Sequence, residues 1–100
     1  MKKSLNLAVL GIDHGHIFDM LDEMIKEGCS CNHFWTEGSP LTLNEFNKKY
    51  PNIKRVENKS EILKDNKIDM ILISSIPKDR ATLSIEALKS GKDVMVDKPG

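Results

Sequence analysis

Four short segments of this 100-residue sequence hold residue types that could do chemistry. The first is Gly11-Ile12-Asp13-His14-Gly15-His16, set between a hydrophobic run and an amphipathic one. A tight turn there, with free backbone N–H groups at a helix N-terminus, makes an anion site. A dinucleotide fingerprint reads G-x-G-x-x-G in this place. Only Gly11 stands in register; Asp13 and His16 hold the second and third glycine positions. The competing reading is a plain β-α turn capped by Asp13.

The second segment holds Glu37, whose carboxylate can accept hydrogen bonds from the adenosine ribose hydroxyls and would repel a 2′-phosphate. It favours NAD, with NADP as the other option; the competing reading is a solvated loop glutamate. The third is Ser74-Ser75-Ile76-Pro77, where small residues let a nucleotide approach the backbone and Pro77 shapes the turn. Its competing reading is an ordinary strand-to-helix connection. The fourth is Asp97-Lys98-Pro99-Gly100. A lysine at a strand's carboxyl end can orient a hydroxyl or help move its proton when the site lowers its pKa. A surface lysine before a turn is the alternative.

Short β-type runs alternating with helical runs must position these segments, and that alternation argues for βαβ units and a parallel sheet. The expected order is strand Leu5–Leu10, helix His16–Glu27 closed by Gly28, strand Cys29–Trp35, then a loop through Pro40. Thr42 and Glu45 have capping-box spacing, so a helix should begin there with Leu43, Phe46 and Tyr50 buried. A short strand follows at Ile53–Val56, and Ser60 is expected to cap a helix reaching Lys64. The strand Asp69–Ser74 leads to a helix with Pro77 in its first turn. Its expected buried stripe is Ala81, Ile85 and Leu88, and Gly91 stops it before a last strand, Val94–Val96. The fold class is thus α/β: a Rossmann-type doubly wound parallel sheet of about five strands with helices on both faces. In such a sheet the loops after Leu10, Trp35, Ser74 and Val96 share one edge, where ligands bind.

Composition narrows the classes. One hundred residues fit one domain, 1–100. Lys plus Arg and Asp plus Glu both number 15, so there is no basic excess for nucleic acid. No run has the roughly 20 apolar residues of a membrane helix. Cys29 and Cys31 read as reduced core thiols, which suits a cytoplasmic protein. A metal site joining His14, His16, Cys29 and Cys31 is disfavoured, because the two pairs belong at opposite ends of parallel strands.

Together the four segments resemble the Gfo/Idh/MocA family of oxidoreductases. The most specific part runs from Ile76-Pro77-Lys78-Asp79-Arg80-Ala81 through Ala87-Leu88-Lys89-Ser90-Gly91-Lys92-Asp93-Val94 to Asp97-Lys98-Pro99. It is similar to the family's proline-led helix, its A-L-x-x-G-K-x-V segment and its closing E-K-P. The resemblance implies the N-terminal NAD(P)-binding domain of a dehydrogenase acting on a sugar, polyol or similar hydroxyl compound. It implies that Lys98 assists at the reacting hydroxyl and contacts the cofactor, and that Gly11 through His16 face the pyrophosphate. It also implies a C-terminal substrate domain that this chain lacks, carrying the oligomer interface, so that the chain alone would not turn over. Asp97 replaces the family's glutamate and Arg80 a common histidine. A non-catalytic nucleotide-binding or sensing module of the same fold is the alternative.

Overall fold

A computed structural model describes residues 5–13, 15–74 and 77–96, with backbone alone for 77–79. Nine elements alternate: β1 (Asn6–Ile12), α1 (His16–Lys26), β2 (Ser30–Trp35), α2 (Leu43–Lys49), β3 (Lys54–Arg55), α3 (Lys59–Leu63), β4 (Met70–Ser74), α4 (Pro77–Lys89) and β5 (Asp93–Val96). The strands form one sheet of order β3-β2-β1-β4-β5, and every pairing is parallel. The chain winds outward from β1 to β3 and then returns to β4 on the other side of β1. The topological switch point therefore lies between β1 and β4.

Side chains of β1 alternate between two cores. Leu7, Val9 and Ile12 pack with Ile17 and Leu21 of α1 and with Phe46 and Tyr50 of the α2 end. Ala8 and Leu10 pack with Ile62 of α3 and Leu83 and Ala87 of α4. The sheet is thus covered on both faces, as its continuous apolar strands require. In β2 the register slips between Cys31 and His33, which restores Phe34 to the α1–α2 side.

Three local expectations fail for definite reasons. Helix α2 does begin at Thr42, its N-cap residue, but the capping bond is not made: Thr42 has helical angles, and its hydroxyl donates to the Ile12 carbonyl. The start of α3 is set by Asn58, not Ser60, and the Asn58 N–H donates to Glu61 Oε2 at 3.1 Å. In α4 the stripe toward the sheet is Leu83 and Ala87, while Ile85 and Leu88 are 53% and 61% exposed. Ala81, Ile85 and Leu88 share helical spacing, but so do Leu83 and Ala87, and periodicity alone does not choose between two apolar faces.

Glycines end two helices as expected. Gly28 and Gly91 have φ of 95° and 81°, the left-handed conformation that glycine adopts without strain. The buried Lys92 sends its ammonium to the carbonyls of Asp65 (2.7 Å) and Ile68 (3.2 Å), fixing the turn before β4. The Asp65 carbonyl also accepts the Ile68 N–H at 3.2 Å, so the buried ammonium adds a second bond to that turn.

A polar clasp joins α1 to α2. Tyr50 Oη donates to Asp22 Oδ1 at 2.6 Å, and Lys49 Nζ pairs with Asp22 Oδ2 at 2.8 Å. Hydrogen bonds from Lys49 and then Tyr50 hold the Asp22 carboxyl below the ordinary value of 3.8. A carboxyl depressed in the folded state stabilises the fold above pH 3.8, and that contribution is lost as pH falls through the lower folded value. Urea unfolding of Asp22→Asn should show a stability deficit at neutral pH that closes as pH falls below 3.8; a deficit independent of pH would contradict the clasp. For α4, Leu83→Ala should cost about 2–5 kcal/mol. Leu88→Ala should stay within about 0.5 kcal/mol in the same denaturant assay.

Candidate functional site

The site is built from the end of β1. That strand runs two residues past the expected Leu10, and it does so through a bulge. Leu10 pairs with Ile73, but Ile12 pairs with Ser74, so Gly11 is the extra residue. Gly11 has φ of 90°, which a side chain at that position would strain. The added residue turns Ile12 back toward α1, where it is fully buried. The Asp13 N–H then donates to the Ser74 carbonyl at 2.7 Å, closing β1 onto β4 at the switch point.

Only residues 13–15 remain to connect β1 to α1. Gly15 is the N-cap, and no side chain caps the helix. The Asp13-capped turn is therefore not the arrangement adopted. An 11-residue helix thus presents first-turn N–H groups and the positive end of its dipole at the carboxyl edge of the sheet. A Cβ built on Gly15 would meet nothing within 4 Å among the described residues, so there is room at that position of the helix end. Uncapped donors, a favourable dipole and room at Gly15 fit a dinucleotide pyrophosphate. The half-buried Asp13 beside them carries unfavourable charge, as does Asp19 in the first turn of the helix.

The neighbouring strand ends lie on the same edge. Register places Trp35 beside Leu10, Ser74 beside Ile12, and Val96 beside Ile73. Ser74 is fully buried at the end of β4, and Pro77 is the first residue of α4. Trp35 packs on the α3–α4 core, with Lys59 Nζ 5.8 Å from its ring centroid and paired to Glu86 at 2.7 Å. It is a packing residue.

After β2 the chain turns through Thr36, Glu37 and Gly38. Thr36 is 3% exposed, and its hydroxyl finds no partner among the described residues. Glu37 and His16 are exposed. Arg55 of β3 holds this turn: its Nη2 donates to the carbonyls of Thr36 (2.9 Å) and Gly38 (2.7 Å). Sequence reading passed over Arg55, because nothing along the chain links a two-residue edge strand to a loop seventeen residues earlier.

Gly11, Asp13, Gly15, His16 and Ser74 are thus brought together, with Glu37 two strands along the same edge from Ser74. Ile12 contributes backbone there, since its side chain is core. His14, Ser75, Ile76, Asp97 and Lys98 lie outside the described residues. Cys29 and Cys31 sit at the amino edge, where Ser30 pairs with Asn6, a strand's length from His16. Burial pushes the Cys31 thiol up to about 12, and it donates to the His33 carbonyl.

The two glycines of the first turn have different jobs, and substitution separates them. Gly11→Ala should cost about 1–3 kcal/mol in a denaturant titration, because the bulge needs positive φ. Gly15, with φ of −63°, should accept alanine at a cost below about 1 kcal/mol. Equal losses would remove the distinction.

Comparison with known proteins agrees with this architecture. The family model described as "Oxidoreductase family, NAD-binding Rossmann fold" matches residues 35–100. A crystal structure from Erwinia carotovora atroseptica SCRI1043, provisionally assigned as an oxidoreductase, is 29% identical with a TM-score of 0.90; the match covers 96% of this chain and 28% of that one. An NAD-binding protein from Listeria innocua is 22% identical with a TM-score of 0.78, covering 97% and 28%. Biliverdin reductase from Synechocystis sp. PCC 6803, solved with biliverdin and NADP+, is 18% identical with a TM-score of 0.73, covering 95% and 29%. Among curated proteins nothing matches. The chain spans between a quarter and a third of the length of these structures. With its parallel sheet, its switch point at β1 and β4 and a family match over residues 35–100, the chain belongs to the Gfo/Idh/MocA oxidoreductase family, as its NAD-binding Rossmann domain.

Proposed function

We propose that this chain binds a nicotinamide dinucleotide along the carboxyl edge of its sheet and serves hydride transfer to or from a sugar, polyol or similar hydroxyl compound. The observation that carries the proposal is the uncapped N-terminus of α1 at the switch point, with room at Gly15 among the described residues. The pyrophosphate is assigned to the backbone N–H groups there, beside Gly11 and Ser74. Glu37 accepts hydrogen bonds from the adenosine ribose. A Listeria innocua protein of the same fold is named for NAD binding, and the Synechocystis reductase was solved with NADP+, so both dinucleotides are in range.

When bound, the nicotinamide supplies the hydride acceptor or donor. The chain's own contribution is position and charge. Lys98 is assigned to the reacting hydroxyl, where an ammonium orients the oxygen and helps move its proton. Ser75, Ile76 and Pro77 are assigned to the nicotinamide side and Asp97 to the support of Lys98. The substrate pocket and any assembly into oligomers are assigned to a further domain, as the length of the similar structures suggests. A sensing module without turnover is the second reading, motivated by the altered first loop, in which Asp13 and His16 hold the second and third glycine positions.

Calorimetric titration with NADH decides between binding and no binding. Asp13→Asn should strengthen binding about threefold or more, since it removes a like charge near the pyrophosphate. With this domain joined to its substrate domain, Lys98→Ala should abolish reduction of cofactor by polyols while saturable NADH binding persists. Unchanged turnover in Lys98→Ala would overturn its role. Saturable binding with no turnover across sugars and polyols, measured with this domain joined to its substrate domain, would establish the sensing module.

A further inference from the structure

Arg55 carries a charge that no carboxylate among the described residues pairs with. Lys49, by contrast, is paired to Asp22 and Lys59 to Glu86. The Thr36 and Gly38 carbonyls occupy Nη2, and the guanidinium has five donors in all. Nη1 and Nε are left to other acceptors. The side chain lies on an edge strand and is exposed, yet two backbone bonds hold it in place. A held cation with unused donors is pre-organised for an anion. Its place is the turn that carries Glu37, beside the strand end assigned to the adenosine ribose.

Resting on the dinucleotide reading above, we infer that Arg55 takes the 2′-phosphate of NADP(H), so that the site accepts NADP(H) as well as NAD(H). The planar guanidinium presents paired donors to phosphate oxygens, and such charge-assisted bonds are the strong ones. Glu37 pulls the other way: it favours free ribose hydroxyls and repels the phosphate. The choice between cofactors is therefore set by two residues of opposite charge on one turn. Arg55 reaches that turn from β3, and Glu37 belongs to it. The hydroxyl of Thr36, buried and without a partner among the described residues, lies within the same turn and makes it polar.

Fluorescence titrations with NADPH and NADH test this, because the two probes differ only by the 2′-phosphate. Arg55→Met should weaken NADPH binding about tenfold or more while NADH changes less than about twofold. Arg55→Lys should fall between, keeping a point charge without the fork. Glu37→Gln should strengthen NADPH binding several-fold relative to NADH. Equal losses of both probes in Arg55→Met would overturn the inference and leave Arg55 as a clamp on the turn. Binding of NADH without NADPH by the unmodified chain would also overturn it, and would leave the dinucleotide reading standing. Binding of neither would overturn both.

Discussion

Strand β1 is covered by helices on both faces and hydrogen-bonded along both edges, so it can neither shift register nor end freely. Its last three residues must still do two incompatible things. They must keep pairing with β4, and they must release the chain toward α1. The bulge at Gly11 resolves this. One residue at positive φ lets Ile12 return to the α1 core, while Ser74 receives both the pairing of Ile12 and the N–H of Asp13. The proposed anion site above Gly15 is a consequence, because the helix then starts at once and uncapped.

The surrounding contacts secure that geometry. Thr42 ties the start of α2 to the Ile12 carbonyl, so the second helix rests on the same strand end. The Asp22–Lys49–Tyr50 clasp joins α1 to α2, beside Phe46, whose ring lies 4.6 Å from that of Phe34. Arg55 then fixes the next turn along the edge. Structure and proposed function thus share one set of bonds: those that close the carboxyl edge also set where phosphates can lie.

Much of this was legible in the residues. Alternating apolar runs gave the order of elements, Gly28 and Gly91 marked two helix ends, and Pro77 marked a start. Features that depend on partners distant in sequence were not. Thr42 matched a local capping pattern, but a carbonyl thirty residues earlier took its hydroxyl. Ile85 and Leu88 kept helical spacing, but the sheet selected Leu83 and Ala87. At the site, Gly11 stands in the fingerprint's first glycine position and was expected after the strand, yet it lies in a bulge inside β1, which the pattern could not show. Arg55 carried no local signal at all.

The central claim is one of place: nucleotide phosphates lie at the N-terminus of α1. Amide chemical shifts recorded during titration with NADH test it most directly. The account predicts the largest changes at Gly15, His16 and Ile17, with a second group at Thr36 to Gly38. Changes concentrated instead at the amino edge, around Cys29, Cys31 and Ile53, would contradict it.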